Sequence, residues 1–234
     1  DLAAIVNAEL AINPGINLAD YDTSDLVGTP VRGFTAAVSP AQTIKQLADA
    51  FYFDVVPANP IRFVLRGGAV AGAIPFADTG AGVDASDKPF SGLKRENNDE
   101  IAAVRGLKYP NVLQDYETGF ERGDRLTTEG PDLRVSQTLV VFEPPEAKGR
   151  AITYTLDARS GAHTASFGLS DKYAVLEPGD SWTVTDNADS SYRLRALRLS
   201  YADGVRQIDW ALDDTSALVQ TGTTSIDYTP SIVV

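Results

Sequence analysis

The sequence predicts an α+β protein, mainly antiparallel β, with about three helices. Three observations carry this. Period-two alternation of apolar residues, punctuated by Gly, Pro and Asp, dominates the chain after residue 160. Helical periodicity with start and stop signals occurs in a few short stretches. Strands do not alternate with long helices, which argues against a doubly wound parallel sheet.

Residues 1–11 predict a helix, with Leu2, Ile5, Val6 and Leu10 on one face and Asn13-Pro14-Gly15 as its stop. Thr29 to Ser39 predicts a strand through Val31, Phe34 and Val38. The second helix has the clearest local signals. Ser39 is placed to cap it, Pro40 suits the first helical position, and Gln42 completes a Ser-x-x-Gln capping box. Ile44, Leu47, Ala48 and Phe51 then form one stripe. The runs Phe51–Val56 and Ile61–Leu65, with Ala58-Asn59-Pro60 between them, predict a hairpin. Residues 67–87, rich in Gly, Ala and Asp, predict a long loop with at most one strand.

From 100 to 143 strands are expected, broken at Tyr109-Pro110, Gly119, Gly123 and Gly130-Pro131, with Val135–Phe142 the strongest of them. Pro144-Pro145-Glu146 opens a third helix to about Arg159, ended by Ser160-Gly161. Its interior Gly149 costs about 1 kcal/mol of helix propensity. Strands follow at Ala162–Leu169 and Ser181–Thr185. Tyr192–Tyr201 and Val205–Leu212 then form a hairpin through Ala202-Asp203-Gly204, a sequence suited to a tight turn. The slip in the alternation of Leu194, Ala196, Leu197 and Leu199 predicts a β-bulge. In Leu176-Glu177-Pro178-Gly179-Asp180, Pro178 presets φ for a type II turn and Gly179 supplies the positive φ it requires.

The 234 residues, 43% hydrophobic, suffice for one large core or two small ones. No apolar run reaches the roughly 20 residues of a membrane-spanning helix. With no Cys, disulfides, thiolate metal sites and thiol nucleophiles are excluded. The chain starts at Asp1 and has no Met, so it reads as a processed chain or as part of a longer one. Twenty basic residues against thirty-two acidic give a net charge of −12, a surface that does not attract nucleic acid or anionic lipid.

Candidates for chemistry each have a simpler structural reading. His163 is the single histidine, and no Gly-x-Ser-x-Gly elbow accompanies it, so a hydrogen-bonded strand histidine is expected rather than a triad member. Asp78-Thr79-Gly80 matches the aspartic protease tripeptide, but that chemistry needs two carboxylates sharing a proton, and one copy is present. Asp20-Tyr21-Asp22-Thr23-Ser24-Asp25 begins like a calcium loop, yet its sixth position is Asp25 rather than Gly and its twelfth is Val31 rather than Glu. Caps and turns account for it. Gly67-Gly68 lacks the Gly-Lys-Ser/Thr of a phosphate loop. Trp182 and Trp210 sit in strand alternation, which favours core positions over a sugar platform. Thus no catalytic, cofactor-binding or metal-binding residue is assigned and no cofactor is expected.

The order of several segments nevertheless resembles a known family. The segments are Asp20 to Asp22 through Leu26 to Val31-Arg32-Gly33-Phe34; Leu47 to Asp54, followed by Ile61-Arg62-Phe63 and Arg66-Gly67; Tyr109-Pro110 with Asp115 to Gly119 and Arg122; and Leu176 to Asp180. Together, over residues 1–185, they resemble the tail-hub proteins of siphophages and gene transfer agents, the phage tail protein domain of their tail-tip or host-specificity chains.

The resemblance implies β-barrel-like domains akin to the baseplate hub, with residues 1–100 as a first hub domain and 101–213 as a second; residues 214–234, rich in Thr and Ser before Ile232-Val233-Val234, read from their own composition as a connector to a further region. It implies a structural, non-enzymatic role as a homotrimer that caps the tail tube of a virion at its tip, assembled in the bacterial host cytoplasm. Its implied partners are a distal tail protein ring, tail fibre or receptor-binding proteins and the tape-measure protein, with DNA passing through the lumen without specific binding. Two alternatives stay open: a β-rich receptor- or carbohydrate-binding module of a tail, and a carboxylate-based hydrolase. In the hub reading, exposed sheet edges are covered by neighbouring subunits, and lumen-facing loops are net acidic so that DNA does not adhere.

Overall fold

The computed structural model describes residues 1–35, 39–81, 89–95, 104–123, 133–202 and 205–218. Among them are three helices and twelve strands. The helices are α1 (Leu2–Ala11), α2 (Pro40–Phe51) and α3 (Pro144–Ser160). The strands are β1 (Tyr21–Asp22), β2 (Phe53–Val56), β3 (Ile61–Leu65), β4 (Gly72–Ile74), β5 (Lys94–Arg95), β6 (Arg105–Pro110), β7 (Thr118–Arg122), β8 (Arg134–Gln137), β9 (His163–Leu169), β10 (Ser181–Thr185), β11 (Ser191–Ala202) and β12 (Val205–Leu212). The protein is α+β and mostly β.

They form three sheets, ordered β1-β3-β2, β7-β6-β8 and β4-β10-β11-β12-β9-β5. Most pairs are antiparallel, but each sheet has one parallel pair at an edge: β1 with β3, β8 with β6, and β4 with β10. Among the described residues none of these sheets closes into a barrel, so the barrel-like part of the expectation gives way to open mixed sheets. A short edge strand that pairs parallel ends a sheet where a barrel needs a partner strand on both sides.

Local signals largely act as expected. Ser39 Oγ accepts from the Gln42 amide at 3.4 Å at the start of α2, with Pro40 at the first helical position. Ile44, Leu47 and Phe51 are buried on its inner face. α3 opens with a reciprocal cap between Glu143 and Glu146. Gly161 ends it in a right-handed helical conformation, φ −62°. The hairpin of β2 and β3 forms in register. The expected bulge in β11 appears as a register shift between Ala196 and Arg198 against β12. Asp203-Gly204 of that hairpin lie outside the described residues.

Two strands differ from expectation. Thr29–Ser39 does not form a strand in its described part; Phe34 makes an isolated bridge to Val140, and residues 36–38 lie outside the described set. The spacing of Val31, Phe34 and Val38 is not period two, and Pro30 and Gly33 interrupt it. The strand expected over Val135–Phe142 stops at Gln137. There the Thr138 hydroxyl accepts from the Val140 amide at 3.2 Å, bending the chain so that Val140 and Phe142 bridge other segments. Pro110, read as a break, instead closes β6, where its carbonyl accepts from the Phe142 amide.

Two cores hold the protein together. The first gathers Leu2, Val6 and Leu26, the inner face of α2, Phe53 and Phe63 of the hairpin, Leu107 and Tyr109 of β6, and Ala147 and Ala151 of α3. The second lies on the six-stranded sheet, with Ile74, Phe90, Phe167, Trp182, Leu194, Ile208 and Trp210. The first draws on residues from both sides of position 100. Thr215–Ala217 form a short turn whose Ala217 is buried against Ile152 and Leu156 of α3. Residues 219–234 lie outside the described set.

Candidate functional site

The residues singled out for chemistry take structural places. His163 starts β9 with its Nδ1 3.1 Å from the Arg159 carbonyl oxygen, a contact to the end of α3 rather than to a carboxylate or nucleophile. In Asp78-Thr79-Gly80, the Asp78 carboxylate accepts from Lys172 Nζ at 2.6 Å and from the Tyr173 hydroxyl. The Lys172 hydrogen bond holds the Asp78 carboxyl below its ordinary range. The Thr79 hydroxyl donates to the Phe76 carbonyl and accepts from the Phe90 amide. The tripeptide thus ties one loop to another. Asp20 accepts from the Asn17 amide at 2.7 Å, the return bond of a capping box, and Asp22 from the Ser24 amide at 2.9 Å, an Asx turn. Among the described residues no three His, Asp or Glu side chains approach closely enough to hold a metal. Trp182 and Trp210 are buried in the second core, Trp210 stacked on Phe167 with ring centroids 5.4 Å apart. They offer no platform to a sugar. A cleft beside α2, lined by Phe34, Thr43, Gln46 and Leu139, leaves no room for a water molecule.

The feature that does stand out is a polar seam joining the two cores. Asp54 of β2 accepts two hydrogen bonds from Arg66, at 2.8 and 3.0 Å, and one from Arg195 of β11. Arg66 also reaches Asp157 of α3 at 3.4 Å. Burial alone would raise the Asp54 carboxyl; the hydrogen bonds from Arg66 and the charge of Arg195 outweigh it and hold the group below its ordinary value. Beside it, Arg193 donates to Asp213 and to the Gly68 carbonyl, both at 2.6 Å, and the Ser181 hydroxyl donates to the same Asp213. Gly68 therefore anchors an arginine rather than a phosphate.

The turn at Leu176–Asp180 closes the seam. The Asp180 amide donates to the Glu177 carbonyl, and Gly179 has φ +91°, as a type II turn demands. The Gly179 amide donates to the Ala196 carbonyl and the Ala196 amide to the Asp180 carbonyl, so the turn is stitched to β11 at its bulge. On its other side, Val56 of β2 approaches so closely that a Cβ at Gly179 would lie 2.8 Å from its Cγ2. Glu177 pairs with Arg62 of β3 at 3.1 Å. The hairpin of the first core is thus clamped to the sheet of the second through one turn and two arginine–aspartate groups. Sequence reasoning noted Asp54, Arg66 and the turn but did not join them to Arg193, Arg195 or Asp213. The available signal was the pair Arg193 and Arg195, cations at period two alternating with Tyr192, Leu194 and Ala196.

The seam ties the two cores to one another. Residues 39–199, which contain much of both cores and Asp54, Arg66, Arg193 and Arg195 of the seam, match the family described as "Putative phage tail protein". The chain belongs to this family. It is a phage-type tail protein. No curated protein matches it significantly.

Among solved structures, the tail protein resembles a chain of the virion of a native gene transfer agent particle at 22% identity, with a TM-score of 0.80 over 96% of its length and 49% of that chain. It also resembles the 43 kDa tail protein of prophage MuSo2 from Shewanella oneidensis (12% identity, TM-score 0.58, covering 93% of this chain and 66% of that one). A tail protein from Neisseria meningitidis MC58 shares the fold at 11% identity and a TM-score of 0.56, over 94% and 69% of the two chains. The tail protein spans about half the length of the gene-transfer-agent chain.

Proposed function

We propose that this tail protein forms the central hub at the tip of a phage or phage-like tail. In this reading it is a homotrimer that caps the tail tube. It binds a distal tail protein ring on one side and carries fibres or receptor-binding proteins on the other. The tape-measure protein ends against it and DNA passes through its lumen. Each chain supplies two tube-like units, for which the two cores are the physical basis, and the role is non-enzymatic. The observation that carries the proposal is the family match over residues 39–199, which takes in much of both cores. A hub must transmit geometry between rings, and a seam that locks two cores together serves that end. The net charge of −12 suits a channel that repels DNA.

Electron microscopy and mass measurement of the purified protein and of the particle test this. A threefold ring at the tail tip is expected. A chain that stays monomeric at all concentrations and is absent from the tip would overturn it. Lysine substitutions in lumen-facing acidic loops are expected to slow DNA ejection; unchanged ejection counts against the acidic lumen.

A further inference from the structure

Two surfaces of opposite charge, both studded with apolar side chains, flank the first core. One is the outer face of the sheet β7-β6-β8. Alternation along β6 sends Leu107 and Tyr109 into the core, facing α3, and turns Gly106 and Lys108 outward. Phe120 and Arg122 of β7 stand opposite these outward positions, and Val135 of β8 lies beside Gly106. Phe120 lies across Gly106, where a Cβ would meet its ring at 2.7 Å, and Leu133 borders the same spot. Phe120, Leu133 and Val135 are 46%, 47% and 44% exposed. Among the described residues Lys108 and Arg122 form no ion pair, and no acid occupies an outward strand position on this face.

The other surface is the segment 11–28, exposed along most of its length. Ile12, Leu18 and Val27 are 64%, 74% and 66% exposed, interleaved with exposed Asp20, Asp22 and Asp25. The first cation in the chain is Arg32, so no basic residue of this segment offsets those acids. Leu2, Val6 and Leu26 root this region in the same core as Leu107 and Tyr109. The two surfaces are distinct patches of one chain.

On a chain of net charge −12, a face of aromatic, aliphatic and cationic side chains selects an acidic, apolar partner, and the chain itself carries one. We propose that the acidic segment 11–28 of one copy docks on the outer face of β7-β6-β8 of the next copy. Because the two patches differ, the contact is head to tail. Such a contact builds a ring when the rotation closes. Apolar contact supplies the area and the charges fix partner and register. This rests on the homo-oligomeric hub reading and names the interface within it.

The test uses three variants of the full chain, compared with wild type by analytical ultracentrifugation and electron microscopy. Lys108→Glu with Arg122→Glu reverses one face, and Asp20→Lys with Asp25→Lys the other. The third variant carries all four changes. Each double variant is expected to weaken self-association at least tenfold, and the fourfold variant to recover it, since charges again face opposite charges. Recovery decides the matter even where a double variant is less stable, because a misfolded chain does not regain assembly by gaining two more substitutions. Rings that persist in both double variants, or dissociation without recovery in the fourfold variant, overturn this interface and leave the hub reading standing. A wild-type chain that never self-associates overturns the hub reading and this interface with it.

Discussion

Replacing Asp54 by Asn removes a charge while keeping the side chain's size. It tests whether the seam between the cores holds the fold. Asp54, Arg66 and Arg195 are 26%, 25% and 14% exposed at their side chains. Removing one partner of a fully buried pair costs about 3–5 kcal/mol, and an exposed pair contributes about 0–1 kcal/mol. A carboxylate three-quarters buried with two arginines lies between, so a loss of about 2–3 kcal/mol is expected. Arg66 retains Asp157, whereas Arg195 keeps no other carboxylate among the described residues.

For a chain of this size about 1 kcal/mol shifts Tm by about 2–4 °C, so the variant should melt roughly 4–12 °C lower by calorimetry or circular dichroism. The pH dependence gives an internal control. The folded Asp54 carboxyl is held below its unfolded value, about 3.9. Its contribution is therefore complete above the unfolded value and is lost as pH falls through the folded one. The Tm difference between wild type and variant should be constant from pH 7 to about 5 and shrink below about 4. A Tm within about 1 °C of wild type, or a difference that grows on acidification, would refute the reasoning.

Two further substitutions probe the clamp and the second core. Gly179→Ala places a Cβ at φ +91° against Val56; the backbone alone costs about 1–2 kcal/mol, and a chemical denaturation midpoint unchanged from wild type would count against the turn as a clamp. Trp210→Ala empties the site stacked on Phe167 in the second core and is expected to cost about 3–5 kcal/mol. Both tryptophans of the wild type should emit at short wavelength and resist iodide quenching, and ready quenching would contradict their burial.

The hub reading and the site readings differ in how much of them could be read from residues in order. Asp78, Asp20 and Asp22 each resemble a fragment of a catalytic or metal motif, yet their partners lie in ordinary caps and loop ties. A motif needs its counterpart in space, and for Asp78 that counterpart proved to be Lys172 and Tyr173. Tail-protein character was legible instead in the order of weak segments along the chain. The bulge at Ala196 was legible because a slip in alternation must be absorbed somewhere in the ladder. The missing strand near Phe34 was legible only in hindsight, since an irregular spacing permits either outcome until a neighbour such as Val140 pairs with it.

The residues in order determined the cap of α2, the limits of α3, the turn at Pro178-Gly179, the β2–β3 hairpin and the alternation of β9 to β12. All of these depend on groups a few positions apart, whose geometry the backbone itself constrains. Tertiary structure alone decided the parallel edge strands, the open sheets and the seam. Asp54 meets Arg195 across 141 residues of chain, and nothing near either residue specifies the other. Such a pair forms only where two separately built cores bring their surfaces together and leave the carboxylate too buried to be satisfied by water.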